Sequence, residues 1–384
     1  MRRWIAVLAA LTATPHFTRA EAPQARPASE VRLSAEPILS VGRLDGPDEY
    51  LFGRVNAGAR LPDGSVVVSD QQGSRVQRFG AGGEHLWSRG RAGEGPGEFR
   101  RVQIVEGCTS EESIVVYDTR NVRVQVYDGE GGLLDEYRFL YNELPLRDFV
   151  CAPNGRLAFL GSTLGYEEAA EPGALHRVLL SLGFAEIGDT AATMLRERIP
   201  DREQKSLGSG IVMLGSIWIH DMALAATDEG IWLGTSDDYE VELIGWTGST
   251  IRRIRWEGPD LAVAREDVDR YRDALEASYR DDDDPDWRAR FERHWDRESE
   301  IVPDEVPAYH RLMMGDDGML WVQDYMRPGE RSEWLGFDED GRWGRTLVLP
   351  ARTGLLDIGP DWALVTTLDE LGVQRVEVRG LVPA

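Results

Sequence analysis

Residues 66–79, VVVSDQQGSRVQRF, are repeated 48 residues later as residues 114–127, IVVYDTRNVRVQVY. In each copy an apolar strand ends on an aspartate, Asp70 or Asp118, and a loop leads into a second strand that begins Arg-Val-Gln. A glycine-rich turn then follows. The two copies predict an antiparallel unit that recurs along the chain, and this recurrence decides the fold class.

A short turn followed by an apolar strand recurs six times, at residues 61–64, 109–112, 152–155, 227–230, 315–318 and 359–362. Four antiparallel strands in a period of about 40 to 50 residues are typical of a β-propeller blade. The sequence therefore predicts an all-β chain in which residues 31–384 form a single six-bladed β-propeller domain. Residues 1–22 are predicted to be a signal peptide, and residues 23–30 a linker.

A strand near the N-terminus has no repeat unit of its own. Residues 37–41, PILSV, form this spare strand, whereas the last unit has only three obvious strands. We predict that the N-terminal strand completes the sixth blade and closes the ring. Closure of this kind removes the exposed sheet edges that an open array would present.

The period is interrupted at residues 260–300, which are rich in Asp, Glu and Arg. Apolar residues recur there at helical spacings, at Val268, Tyr271, Leu275 and Tyr279 and then at Trp287, Phe291 and Trp295. The pattern predicts a two-helix insertion between blades four and five. Its aromatic residues either pack on the flank of the propeller or form a lid or partner surface.

The N-terminus has the features of an export signal. Arg2 and Arg3 precede an apolar run at residues 4–13, and residues 20–22, Ala-Glu-Ala, offer a cleavage site after Ala22. The apolar run is shorter than the roughly 20 residues that a membrane-spanning helix needs. The protein is therefore expected to be periplasmic or secreted, without stable membrane insertion.

The formal net charge of the chain is −24 at pH 7. A surface that acidic repels phosphate backbones, and no basic cluster with interleaved aromatic residues offsets it, so nucleic acid is not an expected partner. The expected partner is a protein, peptide or glycan, and the chain is expected to be a monomer.

The two cysteines, Cys108 and Cys151, occupy equivalent positions in neighbouring repeat units, each six residues before an apolar strand. In an oxidising compartment they either form a disulfide or remain as two separate buried thiols. A bond between them would close a loop of 43 residues.

The chain resembles six-bladed propellers of the NHL-repeat and TolB kind. The resemblance rests on residues 90–99 (GRAGEGPGEF), on the two Asp-to-Arg-Val-Gln units, and on residues 369–373 (DELGV). It implies an exported bacterial protein of a group whose functions are largely unknown. More distant members bind proteins, sense extracellular ligands, hydrolyse lactones or cleave amidated peptides.

No catalytic residues are predicted, because the sequence has no Gly-x-Ser-x-Gly elbow and no His-x-x-x-His pair. The first strand of each blade should line the central channel, so its polar residues are candidates for ligand binding. These candidates are Asn56, Gln103, Arg147, Asp148, His220, Asp221, His310 and Asp357.

Three interpretations of these candidates stay open. A non-catalytic propeller would bind its ligand on one face without a cofactor. Alternatively, His220, Asp221, His310 and Asp148 would hold calcium or zinc on the axis of a metal-dependent hydrolase or lyase. The third interpretation is a solvated channel wall with no function. The repeated Asp70 and Asp118 would either line a ligand groove or fix a loop by hydrogen bonds.

Overall fold

The computed structural model describes residues 23–27, 29–139, 146–162, 175–189, 191–206, 212–214, 218, 220–281, 284–299, 302–327 and 330–384. The predicted signal peptide, residues 1–22, lies outside these described residues. Within them, no helix combines the length and the apolar composition needed to cross a membrane.

The described residues are predominantly β-structure, as the repeat predicted. The strands are β1 Glu30–Val41, β2 Val55–Arg60, β3 Val66–Asp70, β4 Arg75–Phe79, β5 His85–Arg89, β6 Val102–Ile104, β7 Ile114–Asp118, β8 Arg123–Tyr127, β9 Leu133–Arg138, β10 Leu146–Cys151, β11 Arg156–Ser162, β12 Leu175–Glu186, β13 Thr193–Ser206, β14 Val212–Leu214, β15 Ala223–Ala226, β16 Gly230–Gly234, β17 Glu240–Gly245, β18 Thr250–Arg255, β19 Tyr309–Met314, β20 Leu320–Asp324, β21 Glu333–Phe337, β22 Trp343–Val348, β23 Thr353–Ile358, β24 Trp362–Leu368 and β25 Gln374–Pro383. The helices are α1 Arg265–Tyr279 and α2 Trp287–Glu298.

The strands form antiparallel sheets that follow one another along the chain. Strands β2–β5, β6–β9 and β15–β18 each form a four-stranded sheet, β10–β14 form a five-stranded sheet, and the remaining strands form an eight-stranded sheet. The first strands of the sheets contact one another, since β2 touches β6 and β23, β10 touches β15, and β15 touches β19. The arrangement is that of an all-β propeller, with the first strands gathered around an axis.

The eight-stranded sheet departs from the prediction of six separate sheets, because the described residues form five. Its order is β19-β20-β21-β22-β1-β25-β24-β23. Strand β1 pairs antiparallel with β25 along most of its length, and its first three residues also run parallel to β22. The predicted closing strand is therefore paired with the last strand of the chain, but it also merges two groups of four strands into one sheet.

The residues before β1 are anchored to the propeller through Gln24. Its side-chain amide donates to the carbonyl of Gly341 (2.7 Å) and accepts from the backbone N–H of Trp343 (2.8 Å). Its backbone also pairs with Trp256. Gln24 thus connects β18 with the β21–β22 hairpin, within the segment predicted to be a linker.

The hydrophobic core is divided among the interfaces between neighbouring sheets. One cluster combines Trp232 of β16 with Phe337 of β21, and another combines Tyr117 of β7 with Phe159 of β11. These rings are almost fully buried. Burial between successive sheets is what holds a propeller together, since each sheet alone leaves both of its faces uncovered.

Helices α1 and α2 lie inside the predicted insertion and pack against the propeller. Tyr271 of α1 makes an edge contact with Trp218, with ring centroids 6.0 Å apart, and Trp295 of α2 joins the same cluster. Asp267 is buried and pairs with Arg327, which follows β20, at 3.2 Å. The helices therefore rest on the side of the propeller where β19 begins.

Cys108 and Cys151 are joined by a disulfide, with Cα atoms 5.2 Å apart. Cys108 follows β6 and Cys151 ends β10, so the bond connects two neighbouring sheets. Gly107 lies where these two segments of the chain meet, and its φ is +83°. A Cβ atom at this position would clash with the carbonyl oxygen of Cys151. Glycine is therefore required for the two segments to approach so closely.

Candidate functional site

A cavity of about 260 Å³ lies on the axis, where the first strands of five sheet regions meet. Strands β2, β6, β10, β15 and β19, or the residues next to them, supply its walls. It is lined by Asn56, Gln103, Glu106, Asp148, Phe149, Val150, Met222, Ala223, Leu224, His310, Arg311 and Leu312. A concave site with several convergent polar groups is the arrangement expected of a ligand pocket. We call it the axial cavity.

Four of the eight predicted site residues line the axial cavity: Asn56, Gln103, Asp148 and His310. Arg147 lies in β10, but its side chain is outside the part of the chain that the structure describes. The remaining three candidates do not line the cavity. They are His220, Asp221 and Asp357.

The predicted residues that line the axial cavity differ in the hydrogen bonds that their side chains make. The side chain of Asn56 donates to the carbonyl of Val102 (3.1 Å) and accepts from the hydroxyl of Ser69 (3.1 Å), so it connects β2 to β6. Asp148 accepts from the backbone N–H of Phe149 (2.9 Å). The amide of Gln103, by contrast, has no hydrogen-bond partner among the described residues and faces the cavity.

His310 lines the cavity from β19. Its ring packs on that of Tyr325, with centroids 4.9 Å apart. Burial lowers the pKa of His310 below its ordinary value, and the nearby Asp221 carboxylate opposes that shift. A neutral imidazole presents one donor and one acceptor nitrogen. Neither nitrogen bonds to any of the described residues, so both are available to a ligand.

Sequence reasoning missed an ion pair that crosses the cavity, formed by Arg311 and Glu106. Arg311 also donates to the carbonyl of Leu355 (3.2 Å), so its guanidinium connects β19, β23 and the residues after β6. Burial lowers the pKa of Arg311 to about 10, against the raising effect of Asp357, and the side chain stays cationic at neutral pH.

Arg311 was not predicted as a site residue, because adjacent residues in a regular strand point to opposite faces and His310 was the candidate. In β19 the register shifts between Tyr309 and Arg311, and the irregularity lets both His310 and Arg311 face the axis. The first strands β2, β10 and β23 shift at the corresponding places. No residue type marks such a bulge, so the sequence carried no signal for it.

His220 contacts residues of two loops. Its Nδ1 lies 3.2 Å from a carboxylate oxygen of Asp237, and its Nε2 lies 3.0 Å from the carbonyl oxygen of Glu305. Among the described residues no group of three or more His, Cys, Asp and Glu side chains is placed to hold a metal ion. The set of His220, Asp221, His310 and Asp148 is therefore not gathered into a metal site.

Asp357 lies in β23, which contacts β2. Its carboxylate accepts backbone N–H bonds from Arg60 and Ile358, both at 2.8 Å. Burial raises the pKa of Asp357 to about 8, and Asp316 adds to the shift, whereas the two N–H bonds and Arg311 oppose it. This carboxyl group is consequently largely protonated at neutral pH.

The raised pKa of Asp357 predicts a pH-dependent stability. The pKa of Asp357 in the folded protein exceeds the value of about 3.9 in the unfolded chain. At a pH between these two pKa values, the folded protein therefore holds a proton that the unfolded chain has lost. The free energy of unfolding should therefore fall as the pH rises toward 8, by up to about 1.4 kcal/mol per pH unit. In Asp357→Asn that part of the slope should disappear.

Urea unfolding midpoints measured between about pH 5 and pH 8 give the slope. Asp361→Asn is the matched control, because Asp361 is exposed and nearby in sequence. Equal slopes in Asp357→Asn and wild type would rule out this origin of the pH dependence.

The repeated aspartates fix loops, as one of the two interpretations of them predicted. Asp70, fully buried, accepts backbone N–H bonds from Gly53, Arg54 and Gly73 at 2.8–3.2 Å. Asp118 does the same for four backbone N–H groups, among them that of Arg100 at 2.7 Å. Each carboxylate thus joins the segment that leads into the first strand of its sheet to the loop between the second and third strands.

The comparisons with known proteins support the fold. No family model and no curated protein matches the sequence. A solved structure of a member of the DUF4221 family from Bacteroides vulgatus ATCC 8482 has a TM-score of 0.53 at 11% identity, covering 93% of this chain and 99% of that chain. That likeness shows a shared fold.

Two further solved structures are similar at lower TM-scores. A Bacteroides fragilis NCTC 9343 protein, inferred to be exported, has a TM-score of 0.49 at 13% identity, covering 94% of this chain and 99% of that chain. A calcium-binding protein, regucalcin, from Agrobacterium tumefaciens C58 has a TM-score of 0.42 at 13% identity, covering 94% of this chain and 97% of that chain.

Proposed function

We propose that this protein is an exported, non-catalytic binding propeller that takes part of a protein, peptide or glycan ligand into its axial cavity. The observation that carries the proposal is the pair Gln103 and His310, which line the cavity from β6 and β19. Their polar atoms have no partner among the described residues. A ligand that fills the cavity would supply these missing hydrogen bonds.

We infer that the ring has six blades of the NHL-repeat kind. The eight-stranded sheet divides into β19–β22 and β23–β25 with β1, and only three residue pairs join the two halves. Counting each half as a blade gives six first strands around the axis. The equivalent roles of Asp70 and Asp118 support a shared repeat.

We also infer that the protein is exported. The paired arginines, the apolar run and the Ala-Glu-Ala sequence at residues 20–22 support this. The disulfide is consistent with an oxidising compartment. Cleavage after Ala22 would leave the anchored Gln24 close to the new N-terminus.

The polar groups of the axial cavity favour a neutral polar group of a ligand. The charges of Glu106 and Arg311 offset each other in their ion pair. Gln103 and His310 offer neutral donors and acceptors beside this pair, so a hydroxyl or amide group of a ligand would be accepted there.

Peptide and glycan arrays probed with labelled protein test the proposal. The variant Gln103→Trp places a bulky side chain in the axial cavity, and it should reduce binding of any array ligand by about ten-fold or more. Glu130→Trp is the matched control, because Glu130 is exposed in the β8–β9 hairpin, away from the axis. It should bind as the wild type does.

Two outcomes would overturn the proposal. Ligands that bind equally well to Gln103→Trp would place recognition elsewhere on the surface. Turnover of an ester or lactone, abolished by Gln103→Trp and accompanied by no stable ligand on the arrays, would make the axial cavity an active site instead.

A further inference from the structure

A second cavity, of about 240 Å³, lies beneath helix α1. Its walls come from α1, from the segments that flank the two helices, from the residue before β17, and from the end of β20 with the loop that follows it. They include Tyr239, Leu261, Val306, Asp324, Tyr325 and Glu330. We call it the α1 pocket. It is separated from the axial cavity by Tyr325, whose ring packs on His310.

The two arginines at the α1 pocket share one carboxylate, and three further carboxylates, those of Asp260, Asp324 and Glu330, line the pocket. Arg270 and Arg327 both pair with the buried carboxylate of Asp267. Arg327 also donates to the carbonyl of Asp260 (2.6 Å). Because the carboxylates that line the pocket outnumber the two guanidinium groups, the arginines do not make the pocket a site for anions.

Asp324 offers an unengaged carboxylate oxygen. Its Oδ1 accepts from the backbone N–H of Tyr325 (3.1 Å), whereas its Oδ2 has no hydrogen-bond partner among the described residues. Burial raises the pKa of Asp324 to about 7, and Glu333 adds to the shift. A cation placed beside Asp324 would therefore relieve the cost of burying this charge.

Two tyrosine rings complete the α1 pocket. Tyr239 is held in place because its hydroxyl donates to the carbonyl of Pro259 (3.0 Å) and its ring packs on Trp256. Tyr325 is held by His310 on its other side. Aromatic rings beside a carboxylate attract organic cations through the negative face of the ring and the carboxylate charge together.

We propose that the α1 pocket binds an alkylammonium group, such as a lysine side chain of a peptide, between Asp324 and the rings of Tyr239 and Tyr325. The proposal does not depend on ligand binding in the axial cavity.

Titration of the protein with Nα-acetyl-lysine methylamide, followed by NMR, tests the proposal. The neutral probe Nα-acetyl-norleucine methylamide, whose side chain is that of lysine without the ammonium group, should bind at least about ten-fold more weakly. Asp324→Asn keeps the acceptor for the Tyr325 N–H and removes the charge, so it should weaken lysine-probe binding by about ten- to a hundred-fold. Asp45→Asn, which removes an exposed carboxylate elsewhere, should bind as the wild type does.

The pH dependence of binding supplies a second readout. Lysine stays protonated to about pH 10, so affinity should follow the ionisation of Asp324 and rise about ten-fold between pH 6 and pH 8. The other charged or titratable groups facing Asp324 are Glu330, Glu333, Arg26, Arg327 and Tyr239. In Asp324→Asn the profile should be flat.

The proposal is overturned if the lysine and norleucine probes bind equally, or if Asp324→Asn binds as tightly as Asp45→Asn. Absence of binding up to about 10 mM of the lysine probe also overturns it. Loss of binding in Gln103→Trp but not in Asp324→Asn would assign the probe to the axial cavity, which supports the proposed function and rejects the α1 pocket.

Discussion

Replacing Leu39 with alanine should lower the free energy of unfolding by about 2–5 kcal/mol. Leu39 lies in β1 and is 5% exposed. It packs in a cluster with Val41 of the same strand and with Val376 and Val378 of β25. Truncation would leave a cavity at the point where the N-terminal strand closes the ring against the last strand.

The adjacent residue provides the control for this variant. Ile38 precedes Leu39 in β1, but its side chain points outward and is 63% exposed. Ile38→Ala should therefore change the free energy of unfolding by less than about 0.5 kcal/mol. Urea unfolding midpoints of both variants measure the difference. Similar midpoints for the two would mean that β1 does not contribute to the core as its pairing with β25 indicates.

The effect of Leu39→Ala has a topological reason. Strand β1 is far from β25 in sequence, and it forms the joint between the two ends of the chain. Without β1, both β25 and β22 would expose unpaired edges. Weakening this joint therefore affects the whole ring, in the way that the removal of a terminal unit affects other repeat proteins.

The features that could be predicted from sequence are those fixed by local patterns. The repeated strand and turn at Asp70 and Asp118 gave the antiparallel unit, and the spare strand at residues 37–41 gave the partner of β25. The aromatic spacing at residues 287–295 gave helix α2. Each of these depends on the identity and spacing of neighbouring residues alone.

The features that could not be predicted depend on register and on contacts between distant segments. The bulge in β19 turns Arg311 toward the axis, where Glu106 meets it. The merging of two groups of strands depends on the first three residues of β1 reaching β22. His220 was predicted to line the channel from its strand position, and its contacts with Asp237 and Glu305 could not be predicted because they join segments distant in sequence.

The contrast between Asn56 and Gln103 has the same origin. Both are amide side chains on the first strand of a sheet, and sequence gave no reason to separate them. Asn56 lies within reach of Val102 and Ser69, so it joins two sheets. Gln103 lies opposite open space in the axial cavity. A site residue is distinguished here by the partner it lacks, which only the assembled ring determines.

Loss of the disulfide should lower the free energy of unfolding by about 4 kcal/mol in the chain-entropy account. The bond spans a sequence separation of 43 residues and joins the second sheet to the third. Breaking it releases that loop in the unfolded chain. In the folded protein the same two segments stay in contact, because the backbone N–H of Cys151 donates to the carbonyl of Glu106 (2.9 Å).

The double variant Cys108→Ser/Cys151→Ala suits this measurement, because Cys108 is partly exposed whereas Cys151 is buried in the core. Its urea unfolding midpoint should equal that of the wild-type protein in reducing agent, and reducing agent should not shift it further. This comparison separates the loss of the covalent bond from any loss of packing at Cys151. Two free thiols in the untreated wild-type protein, seen by mass spectrometry, would contradict the bond itself. A variant midpoint equal to that of the oxidised protein would mean that the contact at Glu106 alone holds the two sheets together.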